Sequence, residues 1–302
     1  MLDLIYECMC IAKATECEFH AVGADMLTTF KGGGTACVFY PQDEESFINV
    51  YRVLDREIEK PFILGGGSNT VIADGLCRVP IISTAGLNSI SVKDGKAYVG
   101  AGARISDVTR AFRKQNLGGF EFLNGVPLTV GGAVRMNAGA FDMQTSDYVE
   151  EVRILKLKDA KSAENADFSA ETVNAKKLGF GYRHGIEDIV LSAVLKADKI
   201  DAEESKARAK KYLASRAKKQ PKFPSCGSVF KNGEVPSGKL IDECGLKGVK
   251  LGGAQISEMH GNFIVNIGGA TATDFMSLVR LAEYLVYAKF GVRLQREFVY
   301  LK

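Results

Sequence analysis

The chain has 302 residues, 46% of them apolar, and its 39 basic and 36 acidic side chains leave a formal net charge of +3. That size and apolar content suit two or three packed units with room for a buried ligand, while so even a charge balance excludes the broad basic field that nucleic-acid binding demands. No apolar run approaches the roughly 20 residues that span a bilayer, and Met1-Leu2-Asp3-Leu4-Ile5-Tyr6-Glu7 has neither the basic start nor the small-residue cleavage site of a leader; a cytosolic protein without a membrane or nucleic-acid partner is expected.

In chain order, residues 1 to 30 read as a helix followed by a loop, and Ala36-Cys37-Val38-Phe39-Tyr40 as the first buried strand, stopped by Pro41. A short helix from Glu44 to Glu57 leads to the strand Phe62-Ile63-Leu64. The order is β-α-β, and Gly65-Gly66-Gly67-Ser68-Asn69 comes next, at the carboxyl end of a strand, where open α/β sheets bind ligands. Between Val79 and Lys196 short β-rich runs recur at Ile81-Ile82, Ala97-Tyr98-Val99, residues 152 to 157 and residues 189 to 195. One helix interrupts them, with Ser106 as its cap, Ile105, Val108 and Phe112 on one face, and Asn116 and Gly118 as its stop.

The polar stretch from Lys158 to Gly179 reads as a surface excursion, and a charged helix from Asp201 to Lys219, halted by Pro221, opens the last unit. There Thr273 caps a helix carrying Phe275, Leu278, Ala282 and Leu285 on one face, with Gly291 as its stop, and the strand Phe298-Val299-Tyr300-Leu301 closes the chain.

Two nucleotide-binding signatures fail on inspection. Gly233 to Leu240 has the spacing of a phosphate-binding P-loop, but Leu240 stands where a hydroxyl is needed, and Gly100-Ala101-Gly102-Ala103-Arg104-Ile105 lacks the third glycine of a Rossmann turn. The seven cysteines, Cys8, Cys10, Cys17, Cys37, Cys77, Cys226 and Cys244, form an odd set without a C-x-x-C pair, so reduced thiols are expected. His20, His184 and His260 are far apart in sequence, and no metal site is expected.

What stands out is glycine. Gly65-Gly66-Gly67 lets backbone N–H groups close around an anion. The segment from Gly125 to Ala140, with glycines at 125, 131, 132 and 139 and turns at Pro127 and Asn137, has little side-chain bulk and no acid. Two such loops point to a dinucleotide. Ser225-Cys226-Gly227-Ser228 comes after a basic tract running from Arg216 to Lys222, so hydroxyls lie beside positive charge. On their own, Tyr182-Arg183-His184 and Gln295-Arg296-Glu297 say no more than surface charge.

As an ordered set, these segments resemble the UDP-N-acetylenolpyruvoylglucosamine reductases, flavoproteins of peptidoglycan precursor synthesis. The likeness runs through Leu27-Thr28-Thr29-Phe30-Lys31, the two glycine loops, Gly181-Tyr182-Arg183, Lys219 to Asn232, Gly253 to Ser257, Asn262 to Asn266, and Glu297. It implies an α+β protein: an FAD-binding fold of the vanillyl-alcohol oxidase type in two subdomains, residues 1–80 and 81–200, then a smaller substrate domain, 201–302, whose last strand returns to the FAD domain. It further implies FAD as cofactor, NADPH as hydride donor, and UDP-N-acetylglucosamine enolpyruvate as the substrate reduced to UDP-N-acetylmuramate.

Carried over residue by residue, the resemblance implies that Gly65, Gly66, Gly67, Ser68 and Asn69 wrap the FAD pyrophosphate. Gly125, Pro127, Thr129, Val130, Gly131, Gly132, Ala133, Asn137 and Gly139 would run along the flavin, with Val190 and Arg216 as further FAD contacts. Tyr182, Lys219, Asn232, Lys247 and Gln255 would meet the substrate. Arg183 and a protonated Glu297 would stabilise charge on the substrate carboxylate, and Ser228 would deliver a proton. The chain departs from the family pattern at Leu128, Gly185, Met259, Gly261 and Gln295-Arg296. At this level two other readings stay open: an oxidase of the same fold acting on small alcohols or hydroxy acids, and a non-catalytic nucleotide-binding protein.

Overall fold

A helix over Leu2–Ala14 (α1) opens the computed structural model, which describes residues 2–156 and 168–302. The first unit continues with β1 (Glu18–Gly23), a single turn α2 (Ala24–Leu27), β2 (Thr35–Tyr40), α3 (Glu44–Glu57), β3 (Phe62–Leu64), β4 (Thr70–Ile72) and β5 (Ile81–Ser83). Asp43 and Ser46 start α3 with a reciprocal capping box, and Phe47, Val50, Tyr51 and Leu54 make the buried stripe that seats it on the sheet. The sheet order is β1-β2-β5-β3, with β5 parallel to both β2 and β3. Parallel strands linked by a helix bring the carboxyl end of β3, and with it Gly65, to the rim of the sheet.

Where a loop was expected after α1, β1 instead pairs antiparallel with β2 along its whole length. Its alternation is weak because it is an edge strand with Glu18, His20 and Ala21 exposed; pairing, not pattern, makes it a strand.

The second unit comprises β6 (Ile90–Lys93), β7 (Lys96–Gly100), α4 (Ile105–Arg113), α5 (Val130–Met136), the short hairpin β8 (Gly139–Ala140) and β9 (Met143–Gln144), β10 (Val149–Leu155), β11 (Ala170–Asn174) and β12 (Ile189–Lys196). Its antiparallel sheet runs β11-β10-β12-β7-β6 and buries Ile105, Val108 and Phe112 of α4 against its core. Ser106 lies inside α4, and the cap position belongs to Arg104, which makes no side-chain capping bond.

Part of the expected surface excursion, residues 157 to 167, lies outside the described residues. Its later part is not an excursion: β11 takes the sheet edge beside β10. The middle of the second glycine segment is a helix rather than a loop. Thr129 caps α5 by accepting from the Gly132 N–H at 3.3 Å, and this outweighs the weak helix propensity of two adjacent glycines. Gly131 is needed there because a Cβ would sit 2.9 Å from that of Ala101.

The third unit begins with α6 (Ala202–Lys219), capped by Asp201, and holds β13 (Ser225–Ser228), α7 (Ser237–Glu243), β14 (Lys250–Leu251), β15 (Ala254–Ile256), β16 (Phe263–Asn266), α8 (Ala272–Phe290) and β17 (Val299–Leu301). Its sheet runs β13-β16-β15-β14. α8 is capped by Thr271 in a box with Asp274, while Thr273, expected as the cap, lies in the first turn and donates its hydroxyl to Asp74. Gly291 ends α8 with φ 69°.

A strand pairing and an inserted side chain help lock this unit to the first. β17 pairs parallel with β4, and Phe30 enters the third unit's core, its ring centroid 4.9 Å from that of Phe275. The buried Asn266 fixes that insertion: its Nδ2 donates to the Phe30 and Lys31 carbonyls, and its Oδ1 accepts from Gly268 and Ala270. Asn266→Ala orphans all four groups, so a denaturant titration should show a loss of roughly 2 to 4 kcal/mol in unfolding free energy; a loss under about 1 kcal/mol would mean the insertion is held by packing alone.

Candidate active site

Two cavities flank the first glycine loop. One, of about 200 Å³, opens between the first two units and is lined by Tyr51, Lys60, Phe62, Gly65, Gly131, Gly132, Arg135, Glu187, Asp188 and Val190, among others. The other, of about 450 Å³, is lined by Ser68, Asn69, Gly125, Pro127, Leu128, Gly139, Arg183, Arg216, Phe223, Ser228 and Glu297, among others, so all three units contribute to it. Gly65 faces one cavity and Ser68 and Asn69 the other, which suits an elongated ligand threaded past the loop.

The loop itself is bare. Among the described residues, no backbone N–H of Gly65, Gly66, Gly67, Ser68 or Asn69 donates a hydrogen bond to the protein. A Cβ on Gly66 would overlap the Pro127 carbonyl, and one on Gly67, at φ 61°, the Leu27 carbonyl. The glycines therefore let the two loops and the Leu27 turn press together while leaving the loop's N–H groups without a protein partner, an arrangement that suits an anion.

The second segment spends the N–H groups of its helix within the protein. Val130 and Gly131 donate to Ala103 and Ala101, and Gly132 and Ala133 to Thr129. The Val130 and Ala133 side chains lie in the core. This segment offers close approach, and the first loop offers the donors.

Arg183, Ser228 and Glu297 meet in the larger cavity. Arg183 sits on a tight turn closed by Gly181 and His184, at φ 52°, a left-handed conformation costly for a side chain with a Cβ. Its Nη1 donates to the Gly139 carbonyl at 3.1 Å, and its Nε lies 2.9 Å from Glu297 Oε1. Nε makes no aligned hydrogen bond, so the approach is an ion-pair contact.

Glu297 is placed by its neighbours: its N–H donates to Val229, its carbonyl accepts from Asn69 Nδ2 at 3.0 Å, and the Val299 N–H returns to the Asn69 carbonyl. Ser228 ends a bulged strand after Gly227, which has φ 80°. The bulge re-aims the hydroxyl into the cavity, and the hydroxyl hydrogen-bonds to no described residue.

Charge around the cavity is unbalanced. Arg216 is half-buried; its Nη2 donates to the Phe122 carbonyl at 2.8 Å, its guanidinium lies over the Phe141 ring, and its buried Nε has no partner among the described residues. Burial, and then the charge of Arg183, lower its pKa, yet a guanidinium stays protonated. A buried cation without a carboxylate calls for an anionic or electron-rich ligand. Burial pushes the Glu297 carboxyl above the ordinary carboxylate value, and Arg183 and Lys231 pull it back only in part.

Other assigned residues fall elsewhere. Asn232 is exposed and caps the turn into α7 by accepting from the Ser237 N–H; Lys247 pairs with Asp242 at 2.6 Å; Gln255 is buried and donates to the Gly248 carbonyl and to Glu258. These three are tied into the third unit and do not line either cavity. Lys219 is exposed at the end of α6, next to Gln220 on the rim, and Tyr182 is exposed beside Arg183. Asn137 is buried and spends its side chain on Gln144, Gly181 and Ser146.

Lys60, Arg135, Phe223 and the Glu187-Asp188 pair line the cavities although the sequence did not mark them as site residues; only Arg135 carried a signal, as the one charge inside the second glycine segment. The departures have local reasons. A side chain at Gly185 would overlap the Val134 carbonyl, Arg296 is spent on a two-pronged pair with Glu283, and Leu128 lines the cavity while packing on the second unit's core.

Because folding favours the protonated form of Glu297, the stability it contributes is fully present below the ordinary carboxylate range, about pH 4, and is lost as pH rises through its raised value. Thermal melts over a pH series should therefore show the unmodified protein losing ground to Glu297→Gln as pH rises. A difference that does not change with pH would contradict the raised value.

Comparison with known proteins converges on one family. A model of the UDP-N-acetylenolpyruvoylglucosamine reductase C-terminal domain matches residues 219–301, and a model of an FAD binding domain matches residues 35–161. The chain is 37% identical over 287 residues to the UDP-N-acetylenolpyruvoylglucosamine reductase of Pediococcus pentosaceus, covering 92% of each chain. It is 38% identical over 277 residues to that of Clostridioides difficile, covering 89% and 88%. The crystal structure of the Thermus caldophilus enzyme of that name superposes with a TM-score of 0.77 at 33% identity, covering 95% of this chain and all of that one.

Proposed function

This chain belongs to the UDP-N-acetylenolpyruvoylglucosamine reductase family, and from that premise we propose how its residues divide the work of an FAD-dependent reductase. The reading takes UDP-N-acetylglucosamine enolpyruvate as substrate, NADPH as reductant and the cytosol as the place of action. It assigns residues 1–80 and 81–200 to FAD and 201–302 to the substrate. The observation that carries it is the meeting of Arg183, Ser228 and Glu297 in a cavity that adjoins a bare-amide loop.

The residues present fit FAD: the glycine cradle suits its diphosphate, and the unpartnered Arg216 Nε suits an acceptor oxygen or nitrogen of the cofactor. In this reading Gly65, Gly66 and Gly67 hold the diphosphate, Gly131, Gly132 and Val190 border its nucleotide half, and Gly125, Pro127 and Gly139 border the flavin. The chemistry FAD supplies when bound is transfer of a hydride, received from NADPH, to the terminal carbon of the enolpyruvyl ether.

The protein must then accommodate the consequence. As that carbon gains a hydride, the electron pair of the double bond moves toward the substrate carboxylate. Arg183 offers a fixed cation there, and Glu297 in its protonated form, which burial favours, offers a hydrogen-bond donor instead of a repelling charge. Both are oriented before the charge develops, so little reorganisation is spent at the moment of reaction. Ser228 gives its proton to the carbon that bears the ether oxygen, which completes the addition of two hydrogens across the double bond. A hydroxyl is a weak acid, so this step depends on its placement beside a strongly basic carbon. Tyr182 and Lys219 stand at the rim, where a diphosphate-linked sugar would enter.

Gly66→Ala places a methyl against the Pro127 carbonyl, and titration of the apoprotein by flavin fluorescence should show FAD binding weakened roughly tenfold or more; unchanged affinity would remove the loop from the cofactor site. Ser228→Ala should leave reduction of FAD by NADPH near normal while stopped-flow reoxidation by the enolpyruvyl substrate slows by about 10² or more; equal slowing of both half-reactions, or of neither, would take the proton-donor role from Ser228.

A further inference from the structure

Asn137 holds Arg183 from both ends. It terminates α5 in the left-handed conformation, φ 43° and ψ 54°, which asparagine tolerates better than most residues. From there its side chain reaches three residues in two other segments. Nδ2 donates to the Gly181 carbonyl and to Gln144 Oε1, each at 3.0 Å, and Oδ1 accepts from the Ser146 N–H at 3.0 Å. The residue is 1% exposed.

Each contact bears on the arginine. Gly181 is the first residue of the turn that carries Arg183, and that turn is closed by reciprocal bonds between Gly181 and His184. Gln144 lies in β9 directly opposite Gly139 of β8, whose carbonyl accepts from Arg183 Nη1. One buried amide thus ties down the backbone from which Arg183 springs and, through the hairpin, the carbonyl on which its guanidinium rests. A turn with a non-glycine residue at φ 52° needs such over-determination to persist.

We propose that Asn137 is a positioning residue that fixes the Arg183 guanidinium for substrate reduction, rather than a direct ligand of the cofactor. The inference rests on the role given to Arg183 above. With both Nδ2 donors and an Oδ1 lone pair engaged inside the protein, the side chain has little capacity left for a ligand, and a satisfied buried network of this kind imposes one geometry on the groups it joins.

The test pairs a direct readout of the clasp with a kinetic one. Asn137→Gly keeps the left-handed backbone and deletes the side chain; Asn137→Asp keeps the shape and the acceptor for Ser146 but turns lone pairs toward Gly181 and Gln144. In the apoprotein, hydrogen exchange of residues 181 to 184 should accelerate about tenfold or more in either variant. In the holoenzyme, NADPH should reduce FAD at a rate within about threefold of normal, while reoxidation by the enolpyruvyl substrate slows about tenfold or more. Added to Arg183→Ala, Asn137→Gly should slow reoxidation no further, because both act through one group.

Unchanged exchange, equal slowing of both half-reactions, or full additivity with Arg183→Ala would overturn the proposal. If Arg183→Ala alone leaves reoxidation intact, it is the role of Arg183 that falls, and faster exchange in the Asn137 variants would still locate the clasp.

Discussion

The structure depends on two glycine-bearing segments pressed together where the first of them has no Cβ. Gly65 abuts Thr129, Gly66 abuts the Pro127 carbonyl, and Gly67 abuts the Leu27 turn; any Cβ would separate them. That packing leaves the amides of the first loop without protein partners while those of α5 are satisfied internally. N–H groups that the protein does not use are free to bind an anion, so the fold provides for one at this place. Two cavities open on either side of the loop, and the provision thereby becomes a site for a long, centrally charged ligand.

A second constraint comes from the third unit. β17 is drawn back to β4, and Asn69 holds the chain on both sides of Phe298 through the Glu297 carbonyl and the Val299 N–H. The same residue that ends the anion-binding loop therefore sets Glu297 against Arg183. Burial keeps this carboxyl protonated to higher pH than usual, and Arg183 and Lys231 bring positive charge to it. A carboxyl that burial biases toward its neutral form, next to cations, is an environment suited to an anion that forms during reaction.

Much of this was legible in the chain itself. The helix at 44–57 carries apolar residues at a spacing that agrees with its packing, the one at 202–219 shows as a charged run halted by Pro221, and the first glycine loop is marked by its place after a strand. β1 was illegible because its pattern is that of an exposed edge, and α5 because glycines chosen for close packing disguise a capped helix. At the site, Arg183 and Glu297 were visible only through their family context, since a charged residue beside a strand is ordinarily solvated. Asn232, Lys247 and Gln255 were likewise visible only through their segments' match to the family, and in the structure their side chains bond within the third unit's own turns and sheet. The role of Asn137 lies in contacts with residues 144, 146 and 181, which no local spacing reveals.

The claim that exposed amides grip a diphosphate is tested most directly by titrating the apoprotein with FAD and with riboflavin, which shares the ring and lacks the diphosphate, and comparing the two dissociation constants by fluorescence quenching. FAD should bind tighter by about two orders of magnitude or more, as several charge-assisted hydrogen bonds imply. Equal affinity for the two would mean that the ring alone secures the cofactor, and that the bare loop is only a turn.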